Sequence, residues 1–242
     1  MPSEVRLNHA FETPEIKRRY VRRLFATIAD RYDLITVVLS FGRDRAWKRR
    51  LVRLADVRSG QRVLDLACGT GDIGFEAAAR GGVVTGLDIT PRMIELAREK
   101  ARAMGAPLSA WVVGDMSALP VASASFDVIT TGYGLRNVPD LPGALAEMHR
   151  VLTPGGIACS LDFDKPRSAF MCRVYLWYLS VVGSTLGWLL HRDPDTYRYI
   201  PASIRRYPGA LGVAELMRAA GFTGVHALPV FGGFMAIHVG RK

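Results

Sequence analysis

The sequence predicts an α/β fold, a doubly wound parallel sheet with helices on both faces. Three observations predict it. Short apolar runs alternate with helix-length amphipathic stretches, the first of those runs ends in a glycine-rich turn that opens a helix, and 242 residues suit one such domain with appendages. With 49% hydrophobic and 22% charged residues, and 24 Gly and 13 Pro without periodic spacing, the composition excludes collagen-like and disordered chains. The three cysteines, Cys68, Cys159 and Cys172, form no CxxC and no Cys/His spacing suited to tetrahedral zinc. A reducing compartment and no metal are therefore expected.

Met1 to Phe11 lacks the apolar core of a secretory signal, which points to a cytoplasmic protein. From Pro14 to Ile28, the residues Ile16, Tyr20, Val21, Leu24, Phe25 and Ile28 recur at helical spacing with basic residues between them, predicting an amphipathic helix. A second helix is expected over Arg45 to Leu54. Arg62–Leu66 (RVLDL) reads as a strand, followed by the turn and a helix from Asp72 to Arg80. The alternation continues with strand Val83–Leu87, helix Pro91–Ala103, strands Leu108–Val113 and Phe126–Thr131, helix Pro142–Leu152 and strand Ile157–Phe163. Residues 164–207 break the rhythm. Helix Leu211–Ala220 follows, then strands Val225–Val230 and Phe234–Val239, whose three-residue link Phe231-Gly232-Gly233 makes them an antiparallel hairpin. The organisation expected is an N-terminal helical substrate or membrane segment over 1–60 and a domain over 61–242 carrying an insertion at 164–207.

Within that insertion, Val174 to Leu190 holds no formal charge. At 1.5 Å per residue it reaches about 25 Å against a hydrocarbon core of roughly 30 Å, so it predicts a buried or membrane-touching helix rather than a span. Charge is unevenly placed. Residues 1–60 carry 14 Lys and Arg against 7 Asp and Glu, a net of +7 within the chain's +10. The runs Lys17-Arg18-Arg19 with Arg22-Arg23, and Lys48-Arg49-Arg50 with Arg53, read as solvated helix faces or as contacts for an anionic membrane surface. No reader module for nucleic acid accompanies them.

Gly69-Thr70-Gly71-Asp72-Ile73-Gly74 satisfies GxGxxG after a strand, which raises a dinucleotide site. Asp72, however, places a carboxylate at the helix N-terminus where a pyrophosphate would approach, and two anions repel there. A ligand with a cationic head gains instead from Asp65 and Asp72, and S-adenosylmethionine has an ammonium, a sulfonium and no phosphate. Asp88 closes the second strand 17 residues past Gly71, where it can accept both ribose hydroxyls. Asp115, after the third strand, can accept from an adenine amino group while Met116 packs on the ring. One such aspartate alone is a helix cap or a turn residue; three at successive strand ends behind a glycine loop form a site.

Val63-Leu64-Asp65-Leu66-Ala67-Cys68-Gly69-Thr70-Gly71-Asp72 resembles motif I of class I S-adenosylmethionine-dependent methyltransferases, and Leu152-Thr153-Pro154-Gly155-Gly156 resembles their turn into the fifth strand. Gly134-Leu135-Arg136-Asn137-Val138, Arg150-Val151-Leu152, Tyr197-Arg198-Tyr199 and Ser203-Ile204-Arg205-Arg206-Tyr207-Pro208 narrow the resemblance to the C-methyltransferases of ubiquinone and menaquinone biosynthesis. It runs from about Phe25 to the C-terminus. It implies a seven-stranded Rossmann-like methyltransferase sheet with an antiparallel last strand, N-terminal helices and a helical cap. It departs at Thr36 (Asn in the family), Asp44 (His), Asp162 and Asp164 (Glu and Ser), and Gly132 (Ser), mostly on the acceptor side.

The implied cofactor is S-adenosyl-L-methionine, with Asp65, Gly69, Thr70, Gly71, Asp88, Asp115, Met116 and Gly132 as candidate contacts. Arg136 and Asn137, at the end of the fourth strand, are the candidate catalytic pair. An arginine is too basic to serve as a neutral base, so Arg136 is read as stabilising a phenolate, with Asn137 orienting water or hydroxyl. Tyr32, Tyr133, His191 and Tyr197 are candidate substrate contacts, His191 being the histidine to test as a base, while His149 and His238 read as structural. The implied function is methylation of a prenylated hydroquinone at the inner face of the cytoplasmic membrane, by a peripheral protein that can form a homodimer. Methylation of another phenolic or isoprenoid metabolite, and non-catalytic binding of a lipid quinone, remain as alternatives.

Overall fold

A computed structural model describes residues 7–105, 109–166 and 168–242. Leu108, the expected start of the third strand, and the first six residues of the N-terminal segment lie outside the described residues. In chain order the elements are α1 (Pro14–Ile28), α2 (Tyr32–Leu39), α3 (Asp44–Leu54), β1 (Arg62–Leu66), α4 (Asp72–Ala78), β2 (Val83–Asp88), α5 (Pro91–Ala103), β3 (Ser109–Val113), β4 (Phe126–Gly132), α6 (Leu141–Val151), β5 (Leu152–Phe163), α7 (Ala169–His191), α8 (Asp195–Arg206), α9 (Gly209–Ala219), β6 (Thr223–Val230) and β7 (Met235–Arg241). The sheet order is β3-β2-β1-β4-β5-β7-β6. β7 runs antiparallel to both β5 and β6, and the other neighbours are parallel.

The strands read as near-continuous apolar runs because both faces of the sheet are covered. Along β1, Val63 packs with Trp47, Leu51 and Ala77 of α3 and α4, whereas Leu64 and Leu66 pack with Leu145, Met148 and Met217 of α6 and α9. Strand order reverses at β1, which has β2 on one side and β4 on the other, so a crevice opens beyond the carboxyl ends of these strands.

Local chemistry starts the helices where the sequence indicates. Thr13 caps α1, its hydroxyl accepting from Ile16 N, with Pro14 at the first helical position; Asp140 caps α6 by accepting from Gly143 N. Two helices differ from expectation. Tyr32–Leu39 is a separate helix, although its Ile-Thr-Val-Val run suits a strand equally well, and Asp195–Arg206 is helical despite Pro201 inside it.

Two basic runs also depart from the solvated faces expected of them. Lys17 is half-buried and donates to the carbonyls of Arg136 (3.1 Å) and Val138 (2.7 Å), and Lys48 is buried in ion pairs. Helical phase is the reason: Lys48 shares the inner face of α3 with Asp44, Trp47 and Leu51, while Arg49 and Arg50 point outward.

Gly86 of β2 lets the Trp111 ring lie against the strand, since a Cβ there would stand 2.4 Å from that ring. Gly86→Ala should therefore destabilise the fold by about 1–3 kcal/mol through overpacking, read as a lower midpoint in thermal unfolding. An unchanged midpoint would contradict this packing.

Candidate active site

The crevice holds two cavities. The first, about 670 Å³, is built on the glycine loop. Asp65 is fully buried and accepts from Gly74 N (3.0 Å) and Thr130 Oγ1 (2.8 Å), tying the start of α4 to β4. Gly71 takes φ +93°, and a side chain there would strike Trp111 and Phe75 within 2.8 Å. At the end of β2, Asp88 accepts from Gly69 N (2.9 Å) and Thr90 N (2.8 Å), which aims a buried carboxylate along the cavity wall. Asp115 and Met116 follow β3, and Arg18 of α1 pairs with Asp115 at 2.8 Å across the opening.

The second cavity, about 750 Å³, lies beneath α1, α2, α7 and α8 and is lined by Leu24, Ile35, Leu39, Trp47, Phe163, Tyr175, Tyr197, Tyr199 and Phe231 among others. Arg136 is the one charged residue among those lining it. Its main-chain N donates to Asp162 Oδ2 (3.1 Å). Its Nε lies 3.7 Å from Asp162 Oδ1, too far to bond, and has no hydrogen-bond partner. The guanidinium sits 4.7 Å above the Phe163 ring. Burial pushes the Asp162 carboxyl up against the opposing pull of Arg136. Burial, with the charge of Arg136 next in importance, lowers the Lys17 ammonium to about 8.

Phe25, Tyr32 and Tyr133 line both cavities and form the wall between them. Burial carries the Tyr32 hydroxyl up to about 12, against the pull of Lys48. Tyr133 has φ +61°, its hydroxyl donates to Asp44 Oδ1 (2.7 Å), and its carbonyl accepts from Asn137 Nδ2 (2.8 Å). Behind it run the ion pairs Asp44–Lys48 (2.6 Å), Lys48–Asp72 (3.0 Å), Lys100–Asp72 (3.3 Å) and Lys100–Asp33, with Asp33 also accepting from Thr70 Oγ1 (2.6 Å).

The structure gathers Gly69, Asp88, Asp115, Met116, Gly132 and Asn137 around the first cavity, Arg136 and Tyr197 around the second, and Tyr32 and Tyr133 between them. Asp65, Thr70 and Gly71 stand behind the loop rather than among the residues lining either cavity. His191 ends α7, its Nε2 2.9 Å from the Tyr197 hydroxyl, and is likewise absent from both linings. The electrostatic reading of Asp72 needs correction, because Lys48 and Lys100 offset its charge; of the two carboxylates lining the first cavity, Arg18 offsets Asp115, and Asp88 is the one without an ion pair among the described residues. Asp44, Lys48, Asp162 and Lys17 were not among the expected site residues. Asp44 and Asp162 carried a signal as departures from the family pattern, and Asp44–Lys48 also as a pair spaced i,i+4 on an apolar helix face.

The first cavity suits S-adenosyl-L-methionine. Asp88 offers a carboxylate held by two amides to hydroxyl donors, Met116 an apolar surface to a ring, and the one lining cation, Arg18, is already paired. A phosphate would find no free cation among these residues.

The ubiE/COQ5 methyltransferase family model matches residues 13–242. The chain belongs to the ubiE/COQ5 methyltransferase family. The demethylmenaquinone methyltransferase of Thermus thermophilus is 41% identical over 221 residues, covering 90% of this chain and 100% of that one. The ubiquinone/menaquinone biosynthesis C-methyltransferase UbiE of Zymomonas mobilis is 36% identical over 230 residues, covering 95% of each. Among solved structures, a Thermotoga maritima methyltransferase described as a possible histamine N-methyltransferase superposes with a TM-score of 0.66 at 20% identity, over 92% of this chain and 99% of that one. Phosphoethanolamine N-methyltransferase 2 of Haemonchus contortus, in complex with S-adenosyl-L-methionine, gives 0.59 at 17% identity over 76% of this chain and 38% of that one. These structures share the fold. As a member of the ubiE/COQ5 family the protein is a methyltransferase, in agreement with the motifs at Asp65–Asp72 and Gly134–Val138.

Asp65 gives a pH prediction. Burial carries its carboxyl up to about 7, outweighing the bonds from Thr130 and Gly74. Because the folded value lies above the unfolded one, this contribution to stability is fully present below about pH 4 and is lost as pH rises through 7. Replacing Asp65 by Asn removes it. Between pH 5 and 7 the parent should lose stability relative to Asp65→Asn by up to about 1.4 kcal/mol per pH unit, measured from denaturant unfolding at both pH values. Parallel behaviour of the two proteins would refute the assignment.

Proposed function

We propose that this methyltransferase methylates a ring carbon of a prenylated hydroquinone. The observation that carries the reading is the pair of cavities sharing the Phe25–Tyr32–Tyr133 wall, one carrying the carboxylates of Asp88 and Asp115, the other lined by aromatic side chains with a single cation. The names of the Thermus and Zymomonas relatives support the same acceptor class.

S-adenosyl-L-methionine supplies an electrophilic methyl group. Asp88 and Asp115 hold the cofactor's polar groups, and Met116 packs on its ring. An apolar acceptor fills the second cavity, where the aromatic lining excludes water and so strengthens any charge interaction made there. Arg136 places a cation beside a hydroquinone oxygen as that oxygen loses its proton. Asn137, through its bond to the Tyr133 carbonyl, holds the turn carrying Arg136 against the wall.

The enzyme also lies on a membrane in this reading, at the inner face of the cytoplasmic membrane. α7 is long and apolar enough to cross one, but its inner stripe, Leu176, Leu179, Gly183 and Gly187, is already committed to packing against the protein. A Cβ on Gly187 would meet the Asp193 carbonyl at 2.4 Å. The opposite stripe exposes Phe170, Val174, Trp177, Val181 and Trp188, and exposed Leu34, Val37, Val38 and Phe41 belong to α2 and the turn after it, with Phe41 stacked on Tyr178 of α7 at 5.6 Å. An apolar surface of this size, with two tryptophans and with Arg173 and Arg192 on the same helix segment, supports an interfacial helix.

Two measurements test these proposals. Reduced demethylmenaquinone in detergent, with the cofactor, should yield a product 14 mass units heavier with the new methyl on the ring, as fixed by the chemistry of replacing one hydrogen by a methyl group (about 14 Da). Arg136→Ala should then lower kcat on the order of 10²-fold to 10³-fold with cofactor affinity nearly unchanged, and Arg136→Lys should recover part of it. Absence of turnover with this acceptor, or loss of cofactor binding in the alanine variant, would count against the reading. Flotation with anionic vesicles should be strong for the parent and much weaker for Trp177→Ser combined with Trp188→Ser, and should weaken as salt rises. Equal flotation of both proteins would remove α7 from the contact.

A further inference from the structure

Methylating a ring carbon releases one proton in the cavity beneath α1, α2, α7 and α8, and the wall between the cavities offers that proton a way out. We propose that Tyr133 takes the proton of the acceptor hydroxyl while giving its own to Asp44, and that Lys48 and Asp72 carry the charge to solvent. This rests on the reading of the acceptor as a phenol.

Tyr133 is the wall residue backed by a carboxylate. Its hydroxyl donates to Asp44 Oδ1 at 2.7 Å, and among the described residues no donor reaches its oxygen, which leaves a lone pair for an incoming hydroxyl. The backbone is held on both sides, Tyr133 N donating to Leu161 O (2.7 Å) and Asn137 Nδ2 to Tyr133 O (2.8 Å), in a left-handed conformation that an aromatic residue rarely adopts. Asp44 is 2% exposed and Lys48 7%. From Asp44, contacts of 2.6 and 3.0 Å lead through Lys48 to Asp72, whose side chain is about a third exposed at 35%. Taking an aspartate and a lysine out of water has a desolvation cost of several kcal/mol per ion, and apolar packing could hold α3 on the sheet as well. The pair ends on a hydroxyl at the cavity junction.

The other groups near the wall do not serve. Arg136 has no proton-accepting atom, Tyr32 has no carboxylate bonded to its hydroxyl among the described residues, and His191 lines neither cavity. The charged and titratable groups facing Tyr133 are Asp44 and Lys48 of α3, Tyr32 of α2, Asp162 of β5 and Arg136 of the following turn; of these, Asp44 is the one bonded to its hydroxyl.

The balance is as follows. The acceptor O–H bond breaks and its proton binds Tyr133 Oη as the Tyr133 O–H breaks and that proton binds Asp44. The electron pair left on the acceptor oxygen delocalises into the ring, whose carbon forms the new C–C bond with the methyl group. The C–S bond breaks with its electrons on sulfur, and the ring C–H proton returns to the oxygen to restore the hydroquinone. Lys48 passes a proton to Asp72 as it takes that of Asp44, and one proton leaves for each methyl transferred. This step is uphill because, against the burial of each group, Asp44 and Asp72 raise the Lys48 ammonium and Lys48 and Lys100 lower the Asp72 carboxyl.

The probe is 1-naphthol, a phenol whose ultraviolet absorption changes on ionisation. Bound to the parent enzyme, it should ionise at a pH at least about one unit lower than when bound to Tyr133→Phe or Asp44→Asn, a tenfold difference in the ionisation equilibrium. With demethylmenaquinol, both variants should lose on the order of 10²-fold in kcat with KM little changed, the range for a positioned proton acceptor, and Asp44→Glu should recover part of it. Tyr133→Phe retains the ring, so it remains informative if Asp44→Asn folds poorly. Ionisation of 1-naphthol at the parental pH in Tyr133→Phe, or failure of the parent to bind it, overturns the relay. Absence of demethylmenaquinol turnover by the parent would instead overturn the acceptor reading, while the naphthol titration still decides the relay.

Discussion

A line of alternating charge, buried at Asp44 and Lys48 and partly exposed at Asp72, Lys100 and Asp33, joins the N-terminal helices to the glycine loop, and both cavities depend on it. α2 precedes the sheet in sequence yet helps roof a crevice at the carboxyl ends of its strands, while α3 packs on a face of the sheet beside α4. Apolar contacts alone would let these helices slide, because a hydrophobic surface has no preferred register. Carboxylates and ammonium groups a hydrogen bond apart fix it. Such a line contributes little net stability, since desolvation offsets attraction, but breaking its buried Asp44–Lys48 pair at one partner would leave a buried ion alone at a cost of about 3–5 kcal/mol. Its main effect is therefore on geometry: it sets Tyr133, and with it the common wall, to within the tolerance of a hydrogen bond.

The two cavities differ in the charged groups they present. One must recognise hydroxyl and amino groups, and it presents Asp88 with both oxygens already oriented by the amides of Gly69 and Thr90. The other presents aromatic side chains around Arg136, the single charged residue among those lining it. The unpartnered Nε of that arginine belongs with this design, because a fully bonded guanidinium would have little left to offer a ligand.

Local patterns made most of the fold legible. β1 with its glycine turn, α1 between Thr13 and Ile28, and the closing hairpin each follow from a few adjacent residues, as do Asp88 and Asp115 at the strand ends. What escaped depends on phase and on distant partners. Lys17 and Lys48 sit in runs that look uniformly basic, and only the helical turn that carries each inward separates them from the arginines beside them. Asp162 gains its meaning from Arg136, 26 positions away, and Tyr133 from Asp44, 89 positions away. No window of neighbouring residues contains these pairs. α2 was hidden by its β-branched run and α8 by Pro201, where packing against the rest of the chain overrides the local preference.

Phe25 and Tyr32 face both cavities from adjoining elements of the N-terminal segment, α1 and α2. An occupant of either cavity presses on the same two rings, so filling one reshapes the other. Linkage makes this reciprocal: whatever factor the acceptor applies to the affinity of the cofactor, the cofactor applies to that of the acceptor. Turnover inverts the situation, because a methylated ring and a donor that has lost its positive charge press on these rings differently from the pair that entered. Two side chains that take no part in bond making thus make the two binding events thermodynamically dependent on each other.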